Sequence, residues 1–267
     1  MSEQYINEFV RMVDIMAKLR APDGCPWDRE QTHTSLREFL LQESYEVTEA
    51  LDEGNTQKLC QELGDLLLQI VFHAQVAEDN KEFTLKDVIY SINTKLIRRH
   101  PHVFADTKVQ NAKEVTKVWE EVKKGERHSE ASILDSVPKL MPSLAYSQEI
   151  QRRVAQLGFD WENIDGVIEK LGEEIREFQQ CTNLDEKTEE FGDLFFTLAN
   201  ISRRMGVDPE ASLRQSNRKF YQRFSYMEKL CRERGLNLGE LSFDEQNALW
   251  EEAKKKVRGE DNQKSKR

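Results

Sequence analysis

The sequence predicts an all-α protein made of two tandem helical-bundle domains, and three observations carry that expectation. Charged residues make up 33% of the chain and hydrophobic ones 38%, with 12 glycines and 6 prolines in 267 residues, a balance that suits helices with charged outer faces. Good helix formers (Glu, Lys, Leu, Gln, Arg, Ala) are abundant and sustained two-residue alternation is scarce. The two halves also repeat one ordered set of motifs.

In the first half Gly24-Cys25-Pro26-Trp27-Asp28 precedes Glu43-Ser44-Tyr45-Glu46 and Glu62-Leu63-Gly64-Asp65, followed by Lys95 with Arg99 and Trp119 with Lys123. In the second half Gly158-Phe159-Asp160-Trp161-Glu162 precedes Glu174-Ile175-Arg176-Glu177 and Glu190-Phe191-Gly192-Asp193, followed by Lys219 with Arg223 and Trp250 with Lys254. From Trp to the first Glu is 16 residues in one half (27 to 43) and 13 in the other (161 to 174). From the second Glu to the third it is again 16 (46 to 62) and 13 (177 to 190). Fixed spacing inside motifs and variable spacing between them is what helices joined by adjustable loops produce.

Apolar periodicity and its breaks place helices near 4–20, 35–53, 57–78, 84–99 and 112–124, then 143–156, 165–181, 185–205, 208–233 and 243–258. Gly125, Ser129, Ser132, Ser136, Pro138 and Pro142 punctuate the middle of the chain. The domains are therefore expected at 1–124 and 143–258, with a linker at 125–142 and a disordered tail at 259–267.

A net charge of -10 repels nucleic-acid phosphate and argues against a DNA or RNA partner; the basic residues that stand out, Lys254 to Lys256 and Lys264 to Arg267, lie at the end of the chain. The four cysteines, Cys25, Cys60, Cys181 and Cys231, are far apart and form no CxxC, which reads as reduced thiols. No apolar run approaches the ~20 residues that span a bilayer, and the first twenty residues lack the apolar core of a signal peptide. A cytoplasmic protein without a membrane partner is expected.

Glu-x-x-Glu pairs are common on solvated helix faces, so the position of each acid relative to the apolar stripe decides its meaning. Glu43 falls between Leu40 and Val47 on a stripe that begins at Leu36 and ends at Leu51. Glu62 lies on the stripe Leu59, Leu63, Leu66, Ile70, with Asp65 at its edge. In the second half Glu174 stands between Leu171 and Phe178, while Glu190 and Asp193 flank Phe191 and Leu194. An unpaired carboxylate on such a face is costly. Residues three apart share a helix face, so two antiparallel helices would direct four carboxylates at one spot, a natural place for Mg²⁺, with Mn²⁺ as the alternative ion. Glu-x-x-His occurs once, at Glu30 and His33, which argues against a di-iron bundle. His73 reads as a core residue and His100-Pro101-His102 as a turn.

No Gly-x-x-x-x-Gly-Lys-Ser/Thr loop is present. Metal-assisted hydrolysis of a phosphate substrate remains, with Lys95/Arg99 and Lys219/Arg223 meeting phosphate charge. Trp119/Lys123 and Trp250/Lys254 offer an aromatic plane beside a cation.

Taken together, Glu-Glu-x-x-Glu, Glu-x-x-Asp and the upstream Gly-Phe-Asp-Trp resemble the MazG family of nucleoside triphosphate pyrophosphohydrolases, from about Ile6 to Arg258 and in its tandem form. Supporting stretches are Gly24 to Asp28, Arg99 to Phe104 and Leu134 to Pro138. The resemblance implies a homodimeric bundle that converts an NTP to NMP and pyrophosphate with Mg²⁺. It implies metal ligands at Glu174, Glu177, Glu190 and Asp193, the first three and Asp193 also being the catalytic set, with counterparts Glu43, Glu46, Glu62 and Asp65. Lys219, Arg223, Trp250 and Lys254 match the nucleotide grip, as do Lys95, Arg99, Trp119 and Lys123 in the first half. Lys170, Glu173, Lys187 and Glu189, beside the second acidic set, are placed on the substrate side. The first half departs from the pattern at Gln42, and it has Phe39 and Leu59 where the second half has Lys170 and Lys187. The second half is therefore expected to be the principal catalytic half. Two alternatives stay open: a narrower all-α pyrophosphatase acting on dUTP or phosphoribosyl-ATP, and a catalytically silent nucleotide- or partner-binding regulator.

Overall fold

A computed structural model describes residues 3–125 and 132–264, with every side chain among them except those at 113, 117, 120, 121, 123, 124 and 258–264. The side chain of Lys123 and the last three residues of the expected tail lie outside the described residues. The chain divides into two compact units, Met1–Ser129 and Glu130–Arg267. The first holds α1 (Glu3–Arg20), α2 (Pro26–Glu30), α3 (Arg37–Glu53), α4 (Thr56–Asp79), α5 (Leu85–Arg99), α6 (Pro101–Phe104) and α7 (Ala112–Gly125). The second holds α8 (Ser143–Ala155), α9 (Ile164–Gln180), α10 (Leu184–Met205), α11 (Pro209–Arg234) and α12 (Phe243–Lys264), with a 3₁₀ turn at Leu238–Glu240. No strand occurs among the described residues, so the fold is all-α. Among the described residues no helix is long and apolar enough to cross a membrane.

The long helices lie where periodicity puts them, apart from α12, which continues through Glu-, Lys- and Gln-rich sequence to Lys264 instead of ending near 258. Their ends are set locally. Asn55 Oδ1 accepts from Lys58 N at 3.0 Å, and Thr84 and Asp87 form a reciprocal capping box. Asn183 and Asp208 cap α10 and α11 in the same manner. Gly54 and Gly206 close α3 and α10 in the left-handed region, at φ 64° and 68°. The two-residue connection Gly54-Asn55 makes α3 and α4 antiparallel neighbours, and the three residues 181–183 do the same for α9 and α10. The expected turn at His100-Pro101-His102 is instead the start of α6, because Pro101 at the first helical position is pre-set for helix.

Residues 132–142 pack on the second unit: Val137 is buried, and Arg153 Nη1 donates to Ser136 Oγ at 3.4 Å. The first unit's core gathers Met16, Leu36, Val71, Phe72 and Val76. In the second unit a core of Met227, Leu230, Cys231, Leu249 and Ala253 joins α11 to α12. These cores do not extend along the whole of the stripes expected from sequence. Leu36 is buried, but Leu51 is 59% exposed, and Leu63 and Ile70 are nearly half exposed. α1 packs against α4 and buries the half that carries Val71 to Val76, leaving the half with Glu62 and Asp65 uncovered. Glu62 and Asp65 therefore sit on an apolar face that α1 does not cover.

Candidate active site

Two carboxylate clusters form, one in each unit. In the first, Glu43 from α3 and Glu62 and Asp65 from α4 place one oxygen each within 4.8 Å of the others. Glu46 joins them: its carboxyl is close enough to raise the proton affinity of Glu62, and its Oε1 accepts from Gln42 Nε2 at 2.8 Å. In the second unit Glu174 and Glu177 from α9 and Glu190 from α10 meet the same 4.8 Å limit. Asp193, one turn beyond Glu190, is exposed and close enough to raise Glu190's affinity for protons. The i,i+3 spacing on each helix and the short loops between antiparallel partners bring these acids together.

The electrostatics agree with the geometry. Burial and then the charges of Glu46, Asp65 and Glu62 push Glu43 above the usual carboxylate range. Burial and the carboxyl of Glu46 do the same to Glu62. Glu190 is raised by burial and by Glu177, Glu174, Asp193 and Glu189. Packed like charges of this kind are relieved by a cation. The donors are all carboxylate oxygens, with no imidazole or thiol among them, which suits a hard divalent ion.

A pH dependence follows. A carboxyl whose pKa is raised by folding adds stability below its unfolded value near 4.5, and that stability is lost as pH rises through the folded value. Added Mg²⁺ or Mn²⁺ should therefore raise the melting temperature by several degrees near pH 8 and hardly at all near pH 4.5, where protons occupy the same oxygens. Melts with and without chelator at the two pH values test this, and equal shifts at both would refute it.

The units differ around their clusters. Lys170 Nζ lies 3.0 Å from Glu174 and 2.7 Å from Glu173, and these bonds hold its ammonium well above the usual lysine range. Phe39, at the matching place in the first unit, instead meets Trp27 edge-on at 5.8 Å. The first cluster has a lysine too, which the sequence pattern missed, one residue before Leu59, the position that matches Lys187. Lys58, one turn before Glu62, lies close enough to favour its ionised form. Its Nζ is held by Glu49 at 2.7 Å and Glu53 at 3.4 Å. Cys181 was also missed: its thiol donates to the Glu177 carbonyl, and burial followed by the charges of Glu190 and Glu186 raises its pKa. Lys187 and Glu189 lie on α10 near Glu190, and the charge of Glu189 adds to the causes that raise it.

The basic and aromatic residues form a second pair of groupings. Arg99 lies over Trp119 with its guanidinium carbon 5.2 Å from the ring centroid, and Arg223 lies over Trp250 at 5.7 Å. The arginine on one helix thus meets the tryptophan on another, whereas the sequence had paired Trp250 with Lys254. Lys254 Nζ binds Glu251 at 2.6 Å. Arg223 Nε is buried without a hydrogen-bond partner, and Phe220 lies 5.3 Å from the Trp250 ring. Lys219 is half-buried on α11, and Lys95 lines an open groove of about 460 Å³ with Phe83, Asp87, Val88, Ser91 and Ile92. The carboxylates stand on α9–α10 and α3–α4, while these residues stand on α11–α12 and α5–α7, different helix pairs of each unit.

Comparison with known proteins places the chain. Residues 31–104 match the sequence profile of the MazG nucleotide pyrophosphohydrolase domain, and residues 142–220 match that of phosphoribosyl-ATP pyrophosphohydrolase. The chain is 46% identical to the nucleoside triphosphate pyrophosphohydrolase/pyrophosphatase MazG of Thermotoga maritima, over 92% of this chain and 95% of that one. It is 39% identical to the nucleoside triphosphate pyrophosphohydrolase of Escherichia coli K12, over 94% and 98%. It is also 44% identical to the uncharacterized protein YabN of Bacillus subtilis, of which it covers 53%. Two carboxylate clusters on paired helices, each within a matched segment, agree with these likenesses: the chain belongs to the MazG nucleotide pyrophosphohydrolase family.

Proposed function

We propose that the chain is a Mg²⁺-dependent nucleoside triphosphate pyrophosphohydrolase of broad specificity, which hydrolyses an NTP or dNTP to the monophosphate and pyrophosphate. The observation that carries this is the cluster of Glu174, Glu177 and Glu190, with Lys170 bound at its edge. Mg²⁺ held there would neutralise phosphate charge and make water more acidic. The chain's residues supply the rest. Glu174, Glu177, Glu190 and Asp193 would hold the cation, and one of these carboxylates would take the proton lost by the water as it attacks the α-phosphorus and pyrophosphate leaves; Lys170 and Lys187 draw the triphosphate; Glu173 keeps Lys170 in place through its 2.7 Å bond. Arg223 and Lys219 take phosphate oxygens, and Trp250 with Lys254 takes the base end. The first unit's Glu43, Glu46, Glu62 and Asp65, with Lys95, Arg99, Trp119 and Lys123, form a weaker copy. Pyrophosphate and monophosphate release should be measured with each (d)NTP and Mg²⁺. Formation of pyrophosphate from none of them would leave the silent-regulator alternative.

The profile match over 142–220 favours a second reading, a narrower enzyme acting on phosphoribosyl-ATP. Including that compound in the same panel decides between them: turnover of it alone would replace the broad reading.

We infer a homodimer, and the open face supports that reading. Leu63, Leu67 and Ile70 on α4, and Phe191, Phe195 and Leu198 on α10, are each at least 39% exposed, contiguous with the acids, and matched between units. A second copy supplies the same apolar face, so the contact is self-complementary. Phe195→Glu is expected to convert the dimer to monomer at micromolar concentration in sedimentation experiments; an unchanged dimer would place the interface elsewhere.

A further inference from the structure

Both units must seat the loop that leads into their first acid-bearing helix, and they do so with different chemistry. In the second unit Asp160 binds Arg203 at 2.7 Å and Arg204 at 3.0 Å, and Arg204 Nη1 also donates to the Trp161 carbonyl at 2.8 Å. Burial pushes Asp160 up, but the bond and charge of Arg203 outweigh it and hold the carboxyl below its usual range, so this tether stays ionised through the neutral and mildly acidic range. Asn163 then caps α9 by accepting from Gly166 N.

In the first unit α3 begins at Arg37, and its N-cap, Leu36, supplies no side-chain hydrogen bond. Its lead-in turn is tied to α4 by His33, whose Nδ1 lies 2.8 Å from Nδ1 of His73. The ring planes are within 4° of each other and the centroids 5.1 Å apart. Nitrogens that close with centroids that distant put the rings edge to edge, joined by one N–H···N bond. His33 Nε2 lies 3.3 Å from Glu82 Oε2 in the α4–α5 loop.

The partners fix the tautomers. His33 Nε2 faces a carboxylate and must carry a hydrogen to donate, so in the neutral ring its Nδ1 is the acceptor and His73 Nδ1–H the donor. His73 Nε2 then keeps a lone pair, which matches its burial without a partner. Adding a proton undoes this arrangement. On His33 it sets two N–H groups against each other unless His73 moves its own hydrogen to Nε2, which has no acceptor. On His73 it puts charge at that same buried nitrogen, which burial and His33 already resist. Of the neighbouring charges, Arg20 of α1 and Asp79 of α4 are paired at 2.6 Å, and Asp87 of α5 is bound to Thr84. Glu82 is the carboxylate bonded to the pair.

We propose that His33 and His73 are positioning residues of the first carboxylate cluster: as a neutral, singly hydrogen-bonded pair they hold the start of α3 against α4, and acid releases that hold in this unit alone. His73, whose pKa folding lowers, adds stability that is full above the unfolded value near 6.5 and is lost as pH falls below it. The functional part rests on reading the first cluster as a metal site.

The test uses the full chain with Glu174→Gln and Glu177→Gln, so that only the first cluster can bind metal. Amide exchange, corrected for intrinsic rates, is followed in 32–46 and in 160–177, with Mn²⁺ affinity measured alongside, at about pH 7.5 and pH 5.5. Going to acid should lower protection of 32–46 roughly fivefold and leave 160–177 unchanged, since one net hydrogen bond is at stake. His33→Gln, at a half-buried position, should show the lower protection and a roughly fivefold weaker Mn²⁺ affinity already at the higher pH, with no further histidine-dependent loss in acid. Protection of 32–46 that neither acid nor His33→Gln alters would overturn the clamp. Absence of Mn²⁺ binding in every variant would instead sink the metal reading, while exchange still decides the clamp.

Discussion

Glu177→Ala is expected to lower pyrophosphate release by roughly 10²–10³-fold, the scale of losing one group that acts directly on transition-state charge. Glu46→Ala, its counterpart in the first unit, should cost far less. The two acids occupy equivalent places in their clusters, so the difference must come from what surrounds them. Glu177 belongs to a cluster with Lys170 bonded to Glu174 at 3.0 Å, a cation at the edge of the site where triphosphate charge would arrive. The first cluster has Phe39 at that place, packed on Trp27, and its Lys58 is drawn off by Glu49 and Glu53. Gln42 further occupies an oxygen of Glu46, whereas Glu173 in the second unit binds Lys170. Steady-state rates for both variants, with melting curves to confirm folding, check the ranking. Equal losses would mean that the two units contribute alike.

The acidic sites were legible because their chemistry is periodic. Glu43 with Glu46 and Glu174 with Glu177 are three apart on one helix, and their repetition in the two halves separated them from ordinary surface charge. Apart from the end of α12, the ends of the long helices fell within a residue or two of where periodicity breaks, and Asn55, Thr84, Asn183 and Asp208 cap helices there within one turn of themselves. What crosses between helices was not. The stripes that looked like core carry Leu63 and Ile70 into the open, because the pattern of one helix does not say how far a neighbour extends over it. The stacking of Arg99 on Trp119 and of Arg223 on Trp250 joins residues 20 and 27 positions apart (99 to 119, 223 to 250), beyond any local rule. His33 and His73 are likewise 40 apart, and His73 read alone looked like an ordinary core residue. Lys58 was within reach of sequence reasoning, being four residues before Glu62, but an exact positional match to Lys187 drew attention to Leu59 instead.

Arg223→Ala should raise KM for the nucleotide by roughly 30- to 150-fold, or about 2–3 kcal/mol, with a smaller effect on kcat. Two interactions would be lost together. The guanidinium lies over Trp250 at 5.7 Å and fixes the plane offered to the base. Its Nε is buried and without a partner in the protein, a donor that a phosphate oxygen can satisfy. Arg223→Lys separates these contributions, because lysine keeps the charge but has neither the planar fork nor the buried Nε–H. It should recover only part of the affinity. Trp250→Phe, which keeps an aromatic face, should weaken binding less than Arg223→Ala does. A KM unchanged in Arg223→Ala, in protein that melts normally, would remove α11 from the substrate site and leave Trp250 as a packing residue of the α11–α12 core.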